Sequence, residues 1–363
     1  MSDVYLLGLG TAAPPLDVSQ EASASFANQI TRYTTQEARR MELLYQKTRI
    51  QRRGSVLFRR QNGEGVRQAF FPPSVKEGDR GPSTGARLER YEQEAPVLAK
   101  KACIQALAQS GAQVSEITHL VTVSCTGFSA PGVDIRLIKE LRLSSQVERA
   151  HIGFMGCHGA LNGLRVARAL AAQPGAKVLL CAVELCSLHF HYGGEGQAVL
   201  ANALFADGAA ACVVGQAAPE ATSGLKLAAT GACLLPDSEE AMGWKIGDYG
   251  FEMKLDPSVP GLIAGQLRPW LTQWLGRQGT EPARIGSWAV HPGGPRILES
   301  VVSGLDLPQG SLDASLQVLA RHGNMSSPTL LFILQELLLR QAPPPYLALA
   351  FGPGLAVEAA LLV

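Results

Sequence analysis

From about residue 224 the sequence starts over, and this constrains the fold more than any other feature. Leu225 to Gly231 (LKLAATG) echoes the opening strand pattern of Val4 to Thr11. The helical pattern of Gly261 to Leu275 echoes residues 94–109, within a long helix expected over Arg87 to Ser110. A short apolar strand, Ser287 to Val290, ends at His291, just as the strand Thr118 to Ser124 ends at Cys125. Strands alternate with helices in both stretches, which predicts an α/β protein made of two similar βαβ-rich halves packed together. The seam falls in the Gly/Ala/Pro-rich stretch 215–224, giving an N-terminal half of 1–215 and a C-terminal half of 216–363.

Composition removes several classes of function. Lys and Arg number 32 against 31 Asp and Glu, a net charge of +1, so neither nucleic acid nor an anionic membrane surface is an expected partner. With 46% hydrophobic residues and 38 glycines in 363 residues, the chain reads as a compact enzyme with many tight turns. Its seven cysteines are odd in number and scattered through apolar segments, so no disulfide framework is expected and a cytoplasmic, reducing location fits. Cys181 and Cys186 are not at metal-knuckle spacing, and no metal site is expected. The N-terminus lacks a basic signal-peptide region, and no apolar run reaches the length of a membrane span.

Within the first half, Gly153-Phe154-Met155-Gly156-Cys157-His158-Gly159-Ala160 sets a cysteine between an extended segment, Val147 to Ile152, and a helical pattern, Ala160 to Ala172. Cys157 is therefore expected on a strand-to-helix turn at the positive end of a helix, where a thiol pKa falls and a nucleophile forms. The turn by itself does not separate such a nucleophile from a buried structural cysteine.

The second half holds two further stretches of this kind. Ala289-Val290-His291-Pro292-Gly293-Gly294-Pro295 puts a histidine at the carboxyl end of a strand, where open α/β sheets place reactive groups. Gly323-Asn324-Met325-Ser326-Ser327-Pro328 precedes a helix over Thr329 to Leu339, which Ser326 or Ser327 can cap with Pro328 in its first turn. Singly, His291 reads as well as a core histidine and Asn324 as a turn residue. The cluster Lys47, Arg49, Arg52 and Arg53 is either a solvated helix end or a seat for an anion such as a phosphate. Ser19 to Thr48 reads as mostly helical, and the Gly/Pro-rich residues 59–86 as a loop.

Together these pieces resemble the thiolase superfamily of condensing enzymes and, more narrowly, the type III polyketide synthases of the chalcone-synthase-like kind. The resemblance spans nearly the whole chain. It is carried by Thr118-His119-Leu120-Val121, the Gly-Phe-Met-Gly-Cys157 turn, Ala203-Leu204-Phe205-Ala206-Asp207-Gly208, His291-Pro292-Gly293-Gly294-Pro295, Gly323-Asn324-Met325-Ser326-Ser327 and Phe351-Gly352-Pro353-Gly354-Leu355. It implies a thiolase-like fold, two pseudo-repeated halves in αβαβα layers. It also implies that Cys157, His291 and Asn324 are nucleophile, base and oxyanion donor of an acyltransferase. Cys157, a thiolate beside an imidazolium at His291, would take an acyl group from coenzyme A. Asn324 and His291 would stabilise the enolate formed as malonyl-CoA loses CO2. Acyl-CoA and malonyl-CoA are then substrates, no metal or redox cofactor is needed, and a homodimer is expected, with Ala130 near the partner's cavity.

By the same resemblance, Phe205 and Phe251 are gatekeepers where the CoA tunnel meets the cavity. Lys47, Arg49, Arg52 and Arg53 fall where CoA phosphates bind, and Cys125, Thr126, Cys186, His189, Met242, Trp244 and Ser326 line the cavity. Several residues depart from the plant pattern: Cys186 and His189 replace small polar residues, His158 follows the nucleophile in place of an aromatic, and Cys125 resembles a second cavity cysteine of bacterial members. A coumaroyl starter and a chalcone product are therefore not expected. A fatty acyl-CoA starter is, with repeated extension and closure to an alkylpyrone or alkylresorcinol. The alternatives are a malonyl- or aromatic-primed polyketide synthase, a single-round ketoacyl synthase or acyltransferase of the superfamily, and a non-catalytic binding subunit, against which the presence of all three catalytic residue types stands. The direction of the Trp244 ring, which bears on cavity volume, is open at this level.

Overall fold

The computed structural model describes residues 3–31, 33–61, 65–193, 196–216 and 224–363, so most of the expected seam lies outside the described residues. β1 (Tyr5–Ala12) opens the chain. A short antiparallel pair, β2 (Asp17–Ser19) and β3 (Arg52–Gly54), brackets α1 (Gln20–Ile30) and α2 (Thr35–Lys47). The single helical region expected over Ser19 to Thr48 is thus two helices. Thr34 restarts the helix with a capping box, accepting from the Glu37 N–H while the Glu37 carboxylate accepts from its own. The 59–86 stretch contains a short hairpin, β4 (Arg59–Arg60) with β5 (Val66–Arg67). The rest of the first half runs α3 (Thr84–Ser110), β6 (His119–Ser124), α4 (Val133–Leu141), β7 (Glu148–Gly153), α5 (Gly159–Ala171), β8 (Lys177–Leu185), α6 (Gly196–Leu204) and β9 (Asp207–Gly215). The second half runs β10 (Leu225–Leu234), a hairpin of β11 (Met242–Gly247) and β12 (Gly250–Leu255), α7 (Val259–Gly276), β13 (Ser287–Val290), α8 (Pro295–Leu305), α9 (Asp313–His322), α10 (Thr329–Leu339), β14 (Tyr346–Gly352) and β15 (Ala356–Leu362).

Among the described residues nine strands join in the order β13-β14-β15-β10-β1-β9-β8-β6-β7. The repeat anticipated from the sequence is visible in the pairing. β6 runs parallel to β8, β8 antiparallel to β9, and β9 antiparallel to β1. β13 runs parallel to β14, β14 antiparallel to β15, and β15 antiparallel to β10. The two sheets meet edge to edge only where Tyr5 and Leu6 pair with Lys226 and Leu225.

Period-two alternation assigns each face of these strands to a different layer. In β8, Leu179, Cys181 and Val183 pack outward with α3 and α4, whereas Val178, Leu180 and Ala182 pack inward with α5 and α10. In β14, Leu347, Leu349 and Phe351 face α7 and α8, whereas Tyr346, Ala348 and Ala350 face the same central helices. Three apolar clusters therefore separate α3/α4, sheet, α5/α10, sheet and α7/α8, the αβαβα layering of a thiolase-like fold. The outer helix α3 lies directly on β1. A Cβ at Gly10 would stand 2.3 Å from the Ala102 carbonyl oxygen, which is why that strand position has no side chain.

The repeat also creates the site. α5 and α10 are equivalent central helices, and β6 and β13 are equivalent strands. Cys157 precedes α5 as Asn324 and Ser326 precede α10, and Cys125 follows β6 as His291 follows β13. The chain ends that carry reactive residue types thus converge on the boundary between the halves.

Candidate active site

A cavity of about 700 Å³ occupies that boundary, and Cys157, His291 and Asn324 all line it. Of the other residues expected there, it also brings in Cys125, Thr126, Cys186, Met242, Trp244, Ser326 and Phe205. A tight turn over Gly156–His158 feeds Cys157 into α5. Gly156 has φ +76°, and a Cβ there would lie 2.7 Å from the Pro353 ring.

The opposing turn is held under strain. Ser326 has φ +57°, costly for a residue with a side chain, yet three bonds hold it. Its N–H donates to Asn324 Oδ1 (2.8 Å), its hydroxyl lies 3.7 Å from Cys157 Sγ and 3.4 Å from Cys125 Sγ, and the next hydroxyl, on Ser327, donates to Glu184 Oε1 (2.6 Å). The two serine hydroxyls are thereby drawn away from capping α10, and Pro328 takes the cap position instead. With Oδ1 already accepting, the Asn324 side chain has its N–H groups to offer the cavity. Its main chain is clipped to the Phe205 segment, Asn324 N–H to Leu204 O (2.9 Å) and Ala206 N–H to Asn324 O (2.8 Å).

Glu184 was not foreseen as part of this site. Its buried carboxylate accepts from the Cys125 N–H and from the hydroxyls of Thr126 and Ser327, joining the two halves beside the Cys157 cavity. A lone acid near the end of β8, after the apolar run Val178–Val183, was the available signal. Met253, Leu255, Ile297, Phe351 and Pro353 also line the cavity, and as ordinary apolar positions they carried no local signal.

The electrostatics correct one expectation. The helix end does not leave Cys157 with a low pKa, because burial pushes the thiol up to about 11. The Ser326 and Asn324 hydrogen bonds oppose this, and the Glu184 charge adds to it. His291, 1% exposed, is held down to about 3 by burial and secondarily by the charge of His158. Neither of its ring nitrogens has a hydrogen-bond partner among the described residues. Each charge alone is disfavoured in so dry a cavity. A proton passed from Cys157 to an acceptor in the same cavity would make two opposite charges at once, whose attraction opposes what burial imposes on each. His291, which lines that cavity with both ring nitrogens unpaired among the described residues, is the proposed acceptor. In His291→Ala that acceptor is lost and the thiol is left at its burial-raised value. Iodoacetamide alkylation of Cys157 at pH 7 is then expected to slow by at least about 100-fold and to keep rising with pH to about 10, since each pH unit below the pKa costs tenfold in thiolate. Alkylation rates followed by mass spectrometry across pH would check this; an unchanged profile would assign thiol activation to another group.

The wall beyond Cys186 is aromatic. The Trp244 indole N–H donates to the Cys125 carbonyl (2.7 Å), which points the ring inward. That ring stands edge-on to His189 and Phe251 and tilted against Phe205. Trp244, Phe205 and Cys186 form a partition, because all three also line a second cavity of about 770 Å³. Phe251 lines only that second cavity, 1% exposed and stacked on His189 at 4.1 Å. The two expected gatekeepers are thus unequal, Phe205 on the partition and Phe251 packed behind it. His189 also lines that second cavity, though not the catalytic one. Its Nε2–H donates to the Thr126 carbonyl (2.7 Å) and its Nδ1 accepts from the Phe251 N–H (3.0 Å), while burial drives its pKa down to about 3. It is a neutral rivet between three segments and offers no free polar atom to a substrate.

The basic cluster divides. Lys47 is exposed at the end of α2, and Arg49 just beyond it pairs with Glu299 of α8 (2.9 Å). Arg52 grips Asp17 with two bonds (2.6 and 3.0 Å). Arg53 departs from the expected phosphate role. It is buried and donates to Ser23 Oγ, Asn202 O and Phe205 O, so its charge supports the Phe205 segment from beneath.

Two family models cover nearly the whole sequence: chalcone and stilbene synthases, N-terminal domain, over residues 2–219, and the corresponding C-terminal domain over residues 226–363. The chain is 38% identical over 271 residues to a 1,3,6,8-tetrahydroxynaphthalene synthase of Streptomyces peucetius subsp. caesius, covering 73% of this chain and 72% of that one. It is 33% identical to an alpha-pyrone synthesis polyketide synthase-like protein of Mycobacterium tuberculosis, covering 98% and 89%. Among solved structures, PKS-I from the brown alga Ectocarpus siliculosus superposes with a TM-score of 0.92 at 28% identity, covering 100% and 98%.

Proposed function

The chain belongs to the chalcone and stilbene synthase family of type III polyketide synthases, acyltransferases by class, and we propose that it extends a fatty acyl-CoA starter with malonyl-CoA. The Cys157 thiolate attacks the starter thioester, and the departing CoA thiolate takes the proton held on His291. The acyl group then sits on Cys157. Malonyl-CoA loses CO2 in the same cavity, and the enolate oxygen is met by N–H donors from Asn324 and His291. The enolate carbon attacks the acyl-Cys157 carbonyl, the C–S bond breaks, and the lengthened chain leaves as a CoA thioester that can reload. No metal or redox cofactor enters, because the electron pair left by CO2 forms the new bond. Lys47 and Arg49 are proposed to hold CoA phosphates; their present contacts are solvent-exposed, and exposed ion pairs exchange at little cost.

One observation carries the fatty acyl reading: a second, largely apolar cavity lies directly behind the Cys186, Phe205 and Trp244 wall of the catalytic one. An alkyl tail gains by entering such a space, and a short acetate-derived starter leaves it empty. Cyclisation to an alkylpyrone or alkylresorcinol follows from this starter, and the Mycobacterium relative's name attaches α-pyrone synthesis to a chain 33% identical. The test is product identification after incubation with acyl-CoAs of graded length and labelled malonyl-CoA. Products with an intact acyl tail plus two or more malonyl-derived units are expected. Use of malonyl or aromatic starters alone would overturn the fatty acyl reading, and a single added unit would favour a single-round enzyme.

We further propose a homodimer through the β7 side. β7 is the open edge of the sheet, its residues are largely exposed, and Phe128 and Met155 nearby expose apolar surface. All seven cysteines are free thiols, which suits a reducing, cytoplasmic setting.

A further inference from the structure

Both cavities share one roof, and a residue outside them holds its tip. The hairpin β11–β12 is a two-stranded sheet of its own among the described residues. Its inward positions Met242, Trp244, Met253 and Leu255 line the catalytic cavity, and Trp244 and Phe251 line the second. Its outward positions Lys245, Glu252 and Lys254 are exposed. A two-stranded hairpin is marginal by itself, so its place over the cavities depends on what it is tied to. Along its length the ties are the Trp244 indole to the Cys125 carbonyl and the Phe251 main chain to His189 and His191. At the tip the tie is Thr84, in the first turn of α3. Its hydroxyl donates to the Gly247 carbonyl and accepts from the Gly250 N–H (2.9 Å), and its own N–H donates to the Asp248 carbonyl (2.8 Å). Gly247 and Gly250 are the pair that closes the ladder before the turn, so one side chain engages both ends of the turn.

The same turn of α3 touches the facing wall. Gly250 has φ +108°, and a Cβ there would stand 2.8 Å from the Arg87 guanidinium, so the hairpin rests on that side chain. Arg87 is fully buried and donates to the carbonyls of Leu188 and Phe190, both at 2.8 Å, on either side of His189. Thr84 and Arg87 together thus set the spacing between the Trp244–Phe251 roof and the His189 segment. Trp244 is three residues from Gly247, about 10 Å along a strand, so a shift at the tip is carried to the partition. Thr84 itself lines neither cavity. We propose that Thr84 is a positioning residue that determines starter length: by fixing the hairpin on α3 it fixes the Trp244 partition, and with it the depth open to an acyl tail. This rests on the fatty acyl reading above and deepens it by naming a residue that governs the chain length accepted.

The experiment is a competition among hexanoyl-, decanoyl- and tetradecanoyl-CoA, using the intact enzyme and malonyl-CoA, with products resolved by mass. Thr84→Val keeps the branched shape and removes both hydroxyl bonds, Thr84→Ala removes them with less bulk, and Thr84→Ser keeps the hydroxyl. The valine and alanine variants are expected to move the product ratio toward the longest chain by roughly fivefold to tenfold, the worth of one hydrogen bond, while Thr84→Ser holds the wild-type ratio. Because all chains are read in one mixture, the ratio does not depend on how much of a variant is folded. Alkylation of Cys157 by iodoacetamide is expected to keep its wild-type rate in all three; a slower rate accompanying the shift would trace it to the catalytic centre and overturn the proposal. If fatty chains are extended but the ratio is the same in Thr84→Val and Thr84→Ala as in the wild type, or shifts equally in Thr84→Ser, the Thr84 inference fails and the fatty acyl reading stands. If the wild-type enzyme extends none of the three chains, both fail.

Discussion

Replacing Cys157 by alanine is expected to leave no acyl group on the protein after incubation with acyl-CoA, and to lower polyketide formation by on the order of 10⁴-fold or more, as loss of a covalent nucleophile does. Intact-protein mass spectrometry reads the first effect and product quantitation the second. The proposed enolate donors Asn324 and His291 remain, so release of CO2 from malonyl-CoA should continue at a reduced rate without condensation. The competing nucleophile is Cys125, whose sulfur lies 3.4 Å from the Ser326 hydroxyl. Its thiol is pushed well above the usual range, first by burial and then by the Glu184 charge, whereas Cys157 is raised only to about 11 and sits within the helix-initiating turn on the cavity wall. Persistent acylation of Cys157→Ala, mapped to Cys125, would move the acyl carrier to that residue.

Asn324→Ala is expected to show the reverse split. Loading of Cys157 should survive, while malonyl-CoA decarboxylation and extension fall by about 10²- to 10³-fold in kcat, the usual penalty for one oxyanion donor. Alanine also removes the Oδ1 that holds the Ser326 N–H, so some of the loss could come from relaxation of the strained turn. Asn324→Asp separates the two effects, because it keeps an oxygen for Ser326 and has no N–H to give an enolate. An aspartate variant that decarboxylates at the wild-type rate would show that the amide N–H is not the donor. One as slow as Asn324→Ala, with loading intact, would place the loss at the donor.

These residues differ in how far the sequence alone could place them. Cys157, His291 and Asn324 were legible because each lies where a strand or helix begins or ends, and such boundaries are encoded by a few neighbouring glycines, prolines and apolar residues. The repeat then makes those boundaries coincide. Other residues depended on partners far away in the chain. Arg53 reads like its neighbours Arg49 and Arg52, yet it is turned inward by carbonyls 149 and 152 positions away. His189 does line the second cavity, but the Thr126 carbonyl and the Phe251 N–H occupy both its nitrogens.

The order of strands and helices, the pseudo-repeat, the family and the identity of the candidate catalytic residues were therefore determined by the sequence, through periodicity and short motifs that act over a few residues. Only the tertiary structure decided the electrical state of Cys157, since a thiol pKa depends on every element that excludes water from it and on the buried carboxylate of Glu184. It also decided the direction of Trp244, which a carbonyl 119 residues away fixes, and with it the partition behind which a second cavity lies. Burial and hydrogen-bond partnership belong to packed layers, and residues distant in the chain become neighbours only when the two halves close on each other.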